Sequence, residues 1–241
     1  MQLFCLAHAG ASAMAYARWR RRLPRWLDVC PLELPGRGAR QQEPLCQDLP
    51  AMLADLMASW RRECSGPYLL WGHSLGGLLA YELAHALIGA GQNAPLALFA
   101  SASRAPSLRA QAPRLAQRSD SELLSCLAGF ARLPRELLAD PLFRGEMLPV
   151  LRSDFALAEG YRYQRRAPLP CALHVLGARH DSLSEEDLRA WRRETRSAFT
   201  LEWLEGDHAY LRPQEDELLS LIEFHALRLL RREAAGAPLS A

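Results

Sequence analysis

Residues 68–91 leave this chain few architectures. Tyr68-Leu69-Leu70-Trp71 is apolar without a break, as a strand buried on both faces reads. Gly72-His73-Ser74-Leu75-Gly76-Gly77 follows, then Leu78, Leu79, Leu83, Ala86 and Leu87 at helical spacing, with Gly89 and Gly91 ending the helix. A strand entering a helix through so short a turn crowds its backbone, and Gly72 and Gly76 suit the positions where a side chain would collide. Ser74 then stands above a sheet edge, at a helix N-terminus that favours developing negative charge. The bland reading of G-x-S-x-G is a capped turn. The strand before it, the helix after it and the extra glycine favour a nucleophile.

The rest of the chain repeats this alternation. Buried strands are expected at Leu3–Leu6, Val29–Leu34, Leu96–Ala100, Ala172–Leu176 and Thr200–Leu204, and helices near 12–23, 47–63, 184–197 and 214–232. Alternating strands and helices imply an α/β protein, a mostly parallel sheet covered on both faces. With the serine turn, that is the α/β-hydrolase fold, here one domain over residues 1–241. Between about 106 and 168 no strand is legible. Leu123, Leu124, Leu127 and Phe130 suggest one amphipathic helix, Met147, Leu148, Leu151 and Phe155 another, with Pro134, Pro141 and Pro149 as punctuation. This insertion reads as a helical lid, the alternative being extra packing helices on one face. The tail from Ala234 to Ala241 reads as frayed.

A serine nucleophile needs a base, and the base an orienting carboxylate, in the chain order Ser, Asp or Glu, His. After the last expected strand the chain reads Glu205-Gly206-Asp207-His208, so His208 is the base. His73 is adjacent to Ser74 and badly placed to take its proton; His85, His174 and His225 fall on ordinary structural positions. The loop after Leu96–Ala100, Ser101-Ala102-Ser103-Arg104, offers no carboxylate, whereas Gly177-Ala178-Arg179-His180-Asp181 after the next strand does. Asp181 is therefore the acid, preferred over Asp207, whose side chain should point away from its neighbour His208. The oxyanion donors are the N–H of Leu75 and one N–H from His8-Ala9-Gly10-Ala11-Ser12, either Ala9 or Gly10.

Composition narrows the alternatives. Formal net charge is +2, too small to suggest nucleic-acid binding, and every one of the 29 basic residues is Arg. The six cysteines form no C-x-x-C pair and no zinc spacing, so they read as small buried residues in a reducing compartment. Met1 to His8 lacks a basic n-region, and no apolar run reaches membrane-span length. The expectation is a cytoplasmic protein, a monomer, without metal or cofactor.

At family level the chain resembles the type II (editing) thioesterases of nonribosomal peptide and polyketide assembly lines. The resemblance runs from His8-Ala9-Gly10 and Trp19 through Leu34-Pro35-Gly36-Arg37-Gly38-Ala39-Arg40, Gly72–Gly77 and Ser103-Arg104-Ala105-Pro106. It continues in Leu148-Pro149-Val150-Leu151-Arg152-Ser153-Asp154-Phe155, Tyr161-Arg162-Tyr163 and Gly206-Asp207-His208. The P-G-R-G-x-R and lid segments are its most selective parts. Ala11 stands where a second glycine is common, and Gly177–Asp181 is a loose version of the family's Gly/Asp loop. The resemblance implies hydrolysis of unwanted acyl or aminoacyl groups from the phosphopantetheine thiol of acyl or peptidyl carrier domains, with the acid in the later loop. Rival readings are a carboxylesterase or lipase on free esters, a non-catalytic docking module, and acyl transfer. If acidic carrier domains dock electrostatically, Arg37, Arg40, Arg104 and Arg109 are the expected contacts.

Overall fold

The computed structural model describes residues 1–111, 114–131 and 134–234. Six strands, β1 (Gln2–Leu6), β2 (Asp28–Pro31), β3 (Tyr68–His73), β4 (Ala97–Ser101), β5 (Ala172–Ala178) and β6 (Phe199–Leu204), form one sheet in the order β2-β1-β3-β4-β5-β6. Every ladder is parallel. The helices are α1 (Trp19–Arg22), α2 (Leu49–Glu63), α3 (Leu75–Gly89), α4 (Asp120–Ala131), α5 (Arg135–Ala139), α6 (Pro141–Gly160), α7 (Glu185–Arg189) and α8 (Glu215–Ala234).

Period-two alternation divides the strands between two cores. Phe4, Leu6, Leu70, Leu98 and Val175 face α2 and α3, whose Leu56, Trp60, Leu78 and Leu83 complete one cluster. Leu3, Cys5, Leu69, Trp71 and Phe99 face the other way, onto Tyr16, Trp19 and the Leu218, Ile222 and Ala226 stripe of α8. Burial on both faces of β1, β3, β4 and β5 is what makes those strands read as largely apolar runs.

The expected elements shift in places. Residues 12–23 form a 3₁₀ turn (Ala13–Tyr16) and the four-residue α1, which stops because Leu23, ahead of Pro24, turns extended. β2 is shorter than Val29–Leu34, ending at Pro31, although the Leu32 N–H still donates to the Cys5 carbonyl at 2.9 Å. Residues 184–197 divide into α7, started by a Ser184–Asp187 capping box, and a 3₁₀ segment that buries Trp191. Between β4 and β5 lie a 3₁₀ segment (Pro106–Gln111), α4, α5 and α6. Leu123, Leu151 and Phe155 form a small core of their own there. Leu127 and Phe130, expected on the same apolar face, lie outside the described side chains, as residues 235–241 of the tail lie outside the described backbone.

The chain steps from β1 to β2 on one side, then returns to place β3 on β1's other side. Such a switch point opens a crevice at the carboxyl ends of the strands, where open α/β sheets bind ligands. The loop after β1 and the turn after β3 flank it.

Candidate active site

Ser74 sits between β3 and α3 with φ +56 and ψ −110, a conformation that L residues rarely adopt. The fold enforces it through backbone contact. A Cβ on Gly72 would lie 2.0 Å from the Gly76 carbonyl oxygen, and one on Gly76 2.1 Å from that of Leu6. The Ser74 N–H donates to the Ser101 carbonyl at 2.8 Å, tying the turn to β4.

Three distant residues converge here. His208 Nε2 is 3.0 Å from Ser74 Oγ, and His208 Nδ1 is 2.8 Å from Asp181 Oδ2. Asp181 is at the end of the β5 loop and His208 in the loop after β6; the His180 N–H on the Gly206 carbonyl, at 2.9 Å, ties these loops together. Burial pushes the Asp181 carboxyl up, but the bond and charge of His208 and the amides of Ser182 and Leu183 outweigh it and hold the group below its ordinary value. Asp207 turns elsewhere, its Oδ1 accepting the Ala209 N–H at 3.0 Å. Leu75 N–H opens α3 and so has no acceptor within the helix. Gly10 N–H is engaged, donating to Asp154 Oδ2 at 2.8 Å. Among the described residues Ala9 N–H makes no such bond, and Ala9, Leu75, Ser74 and His208 line one pocket. Of the two amides left open by sequence, Ala9 is the free one. Phe155, Ala158 and Leu115 supply apolar wall to that pocket, so the insertion borders the serine.

His73 has a place that its sequence position did not suggest. It points beneath the site, where Nε2–H donates to the His208 carbonyl at 3.0 Å and Nδ1 accepts from Ser101 Oγ at 2.8 Å; Tyr210 closes the network through Ser101. A carbonyl only accepts, so this geometry requires His73 Nε2 to carry a proton. The elbow thereby braces the backbone of the histidine that faces its serine. Its neighbour His8 packs edge-on at 5.6 Å, and burial with the nearby His208 lowers it to about 4.

The four arginines expected as docking contacts each have partners within the chain. Arg37 is buried against Asp154. Arg40 forks onto Asp55 with two contacts of 2.6 Å and also binds Glu43. Arg104 pairs with Asp187 at 3.0 Å. Arg109 turns inward, lines the pocket, and donates to Ser103 Oγ at 2.8 Å. Charge count could not reveal this, because each partner is supplied by the fold.

His174, Glu202 and His225 could each offer a metal ligand atom, all within 4.8 Å of one another, beside α8. The two rings stack at 3.7 Å and 29°, His174 Nδ1 is on Thr200, and His225 Nε2 is on Glu202. Near-parallel rings do not converge their lone pairs on one point, so the trio is arranged as packing between β5, β6 and α8. The described cysteines are free thiols, and burial pushes Cys30 to about 11 and Cys171 to about 12. No helix among the described residues is long and apolar enough to cross a membrane.

Burial sets a pH dependence. It lowers His174 to about 3, with His225 and Arg228 adding to the effect, and holds His73 well below the ordinary histidine range. Both are neutral when folded at pH 5 and protonated when unfolded, so the unfolded chain binds more protons and stability falls on acidification. The loss begins near the unfolded value, about 6.5, and each group's slope approaches about 1.4 kcal/mol per pH unit. Thermal melts should drop by several degrees, roughly 5–10 °C, from pH 7 to pH 5. A midpoint that is flat or rises over that window would contradict the neutral, buried assignment.

A serine elbow, an imidazole within reach of its hydroxyl and a buried carboxylate behind it, all at the carboxyl edge of a parallel sheet, define a serine hydrolase of the α/β-hydrolase fold. The family model of the thioesterase domain matches residues 1–225, and the chain belongs to that family of thioester hydrolases. LgrE of Brevibacillus parabrevis, named a linear gramicidin dehydrogenase, is 34% identical over 230 residues, 92% of this chain and 86% of LgrE. The RedJ thioesterase from the prodiginine biosynthetic pathway in Streptomyces coelicolor is similar with a TM-score of 0.87 and 32% identity, over 93% of this chain and 89% of RedJ. The type II thioesterase BorB from the borrelidin biosynthetic cluster gives 0.84 and 34%, over 93% and 91%.

Proposed function

We propose that this chain is an editing thioesterase, hydrolysing aberrant or stalled acyl and aminoacyl thioesters from the phosphopantetheine arm of acyl or peptidyl carrier domains. The setting is nonribosomal peptide or polyketide biosynthesis, and the protein acts as a cytoplasmic monomer. The observation that carries the reading is the Ser74–His208–Asp181 relay, 3.0 and 2.8 Å per step, opening into a pocket walled by the inserted helices. The kinship with RedJ and BorB, both named for biosynthetic pathways, supports the choice of substrate.

His208 Nε2 takes the Ser74 proton as Oγ attacks the thioester carbonyl. Negative charge moves to the carbonyl oxygen and is met by the Leu75 and Ala9 N–H groups. The tetrahedral adduct collapses, the C–S bond breaks, and the imidazolium returns the proton to the departing pantetheine sulfur. Water, deprotonated by His208, then attacks the acyl-Ser74 ester, releasing the carboxylic acid and restoring the serine. Asp181, kept ionised, stabilises the imidazolium at both stages. The sequence uses side chains, backbone amides and water alone. The insertion acts as the lid, supplying the acyl pocket and controlling access to it.

The test offers one acyl group in two forms, loaded on a carrier domain and as a simple ethyl ester, at matched concentration. The carrier thioester should be turned over with the larger kcat/KM, by about tenfold or more, and a serine-directed phosphonate should abolish both activities. Equal efficiency on the two forms would reject carrier editing and leave a general esterase. Turnover that survives phosphonate labelling would reject Ser74.

A further inference from the structure

The ion pair between Arg37 and Asp154 joins three segments remote in sequence and takes no part in the proton relay. Arg37 follows β2, and Asp154 is on α6. Guanidinium and carboxylate meet side by side, Nη1 to Oδ2 at 2.6 Å and Nη2 to Oδ1 at 2.7 Å, with side chains only 5% and 1% exposed. Both also grip the loop after β1. Asp154 Oδ2 accepts the Gly10 N–H at 2.8 Å, and Arg37 Nη1 reaches the Ala11 carbonyl at 3.4 Å. The same helix shapes that loop by contact: Gly10 has φ +78, and a Cβ there would come within 2.8 Å of Leu151 Cδ2 and 3.3 Å of the Met147 sulfur.

Burying two charges gains little stability over an apolar pair of similar shape, because desolvation offsets their attraction. What a planar, two-pronged contact does supply is orientation. Here the oriented object is the peptide run from Ala9 to Ala11. Its Gly10 N–H is drawn towards the carboxylate, which leaves the preceding N–H, that of Ala9, for the reacting oxygen.

We infer that Arg37 and Asp154 are positioning residues, a buried clamp that aims the Ala9 N–H at the oxyanion and fixes α6 to the body of the enzyme. The inference rests on the reading of Ser74 as nucleophile. α6 cannot swing outward without releasing Gly10 and so dismantling the oxyanion site.

Two variants test the clamp. Asp154→Asn keeps the shape and removes the charge; Arg37→Lys keeps the charge and loses the fork. Each is assayed on a small acyl-N-acetylcysteamine thioester, and for binding of two inhibitors, an acyl trifluoromethyl ketone and the matching unreactive thioether. The ketone carbonyl adds Ser74 Oγ to give a hemiketal oxyanion, followed by ¹⁹F NMR, whereas the thioether only fills the pocket. Losing an oxyanion donor costs roughly 10²–10³ in kcat, so Asp154→Asn should fall into that range with KM changed less than about threefold, and Arg37→Lys should fall less far. Ketone affinity should fall about 10²-fold while thioether affinity holds. A kcat loss under about tenfold in the folded Asp154→Asn variant, or parallel loss of both inhibitors, overturns the positioning role. If neither variant folds, amide exchange on the unaltered protein decides. Gly10 exchanging in step with the α6 amides supports the clamp, and either one opening without the other overturns it. A wild-type protein that forms no hemiketal loses the nucleophile reading as well, whereas a hemiketal that is unchanged in both variants loses only the clamp.

Discussion

Ser74→Ala is expected to lower turnover by about 10⁶ and to leave the fold intact, since removal of a triad nucleophile costs on that order in kcat. The size of the loss comes from the arrangement around one oxygen. Ser74 Oγ is the atom that His208 Nε2 approaches at 3.0 Å, and the pocket opens beside it. The oxyanion donors, the apolar wall and His208 with its aspartate all remain in the variant, so any residual rate measures binding and oxyanion stabilisation without covalent catalysis. Folding should not suffer. The bonds that hold the turn are made by backbone, Ser74 N–H to the Ser101 carbonyl and Ser103 Oγ to the Ser74 carbonyl, and alanine retains both. It is strained no more than serine at φ +56. Mass spectrometry of the stalled reaction should find the acyl-enzyme in wild type and none in the variant, with melting temperatures alike. Retention of even a tenth of wild-type turnover would remove Ser74 from the chemistry.

The parts of this site that were legible in sequence are those whose signal is local. The elbow reads because strand, turn and helix are contiguous, and the inner strands read because burial on both faces keeps them almost wholly apolar, whereas half-buried β6, with Thr200 and Glu202, reads from its place in the alternation. The acid was reached by elimination: the loop after β4 offers Ser101, Ala102 and Ser103, and the structure uses Ser101 to hold His73 instead. What stayed hidden is long-range. Arg37 and Asp154 are 117 residues apart, and nothing near either one points to the other. Without that pair the choice between Ala9 and Gly10 could not be made, since it is Asp154 that occupies Gly10. The partners of the arginines are hidden for the same reason: the fold brings Asp154, Asp55 and Asp187 to Arg37, Arg40 and Arg104, and turns Arg109 into the pocket. His73 was set aside because adjacency to Ser74 rules it out as the base, yet that adjacency is what lets it hold the loop of the true base.

Asp181→Asn and Asp207→Asn separate the two carboxylates nearest His208 in space and in sequence. Asp181 is 2% exposed at its side chain and meets His208 Nδ1 at 2.8 Å. An asparagine there can face the ring with its oxygen, keeping the tautomer but losing the charge that stabilises the imidazolium. It can also face the ring with its NH₂, which drives the ring proton to Nε2 and leaves no acceptor for the serine proton. Either way the base fails when it must become cationic, and the corresponding change in a serine protease triad costs about 10⁴ in kcat. Asp207 holds the Ala209 N–H, a bond that the Oδ1 of an asparagine keeps, so Asp207→Asn should change kcat by less than about tenfold. KM should move little in either variant, because neither carboxylate borders the acyl pocket. Losses of equal size, or the larger loss at Asp207, would take Asp181 out of the relay despite its distance, and would mean that the working enzyme turns His208 towards its sequence neighbour.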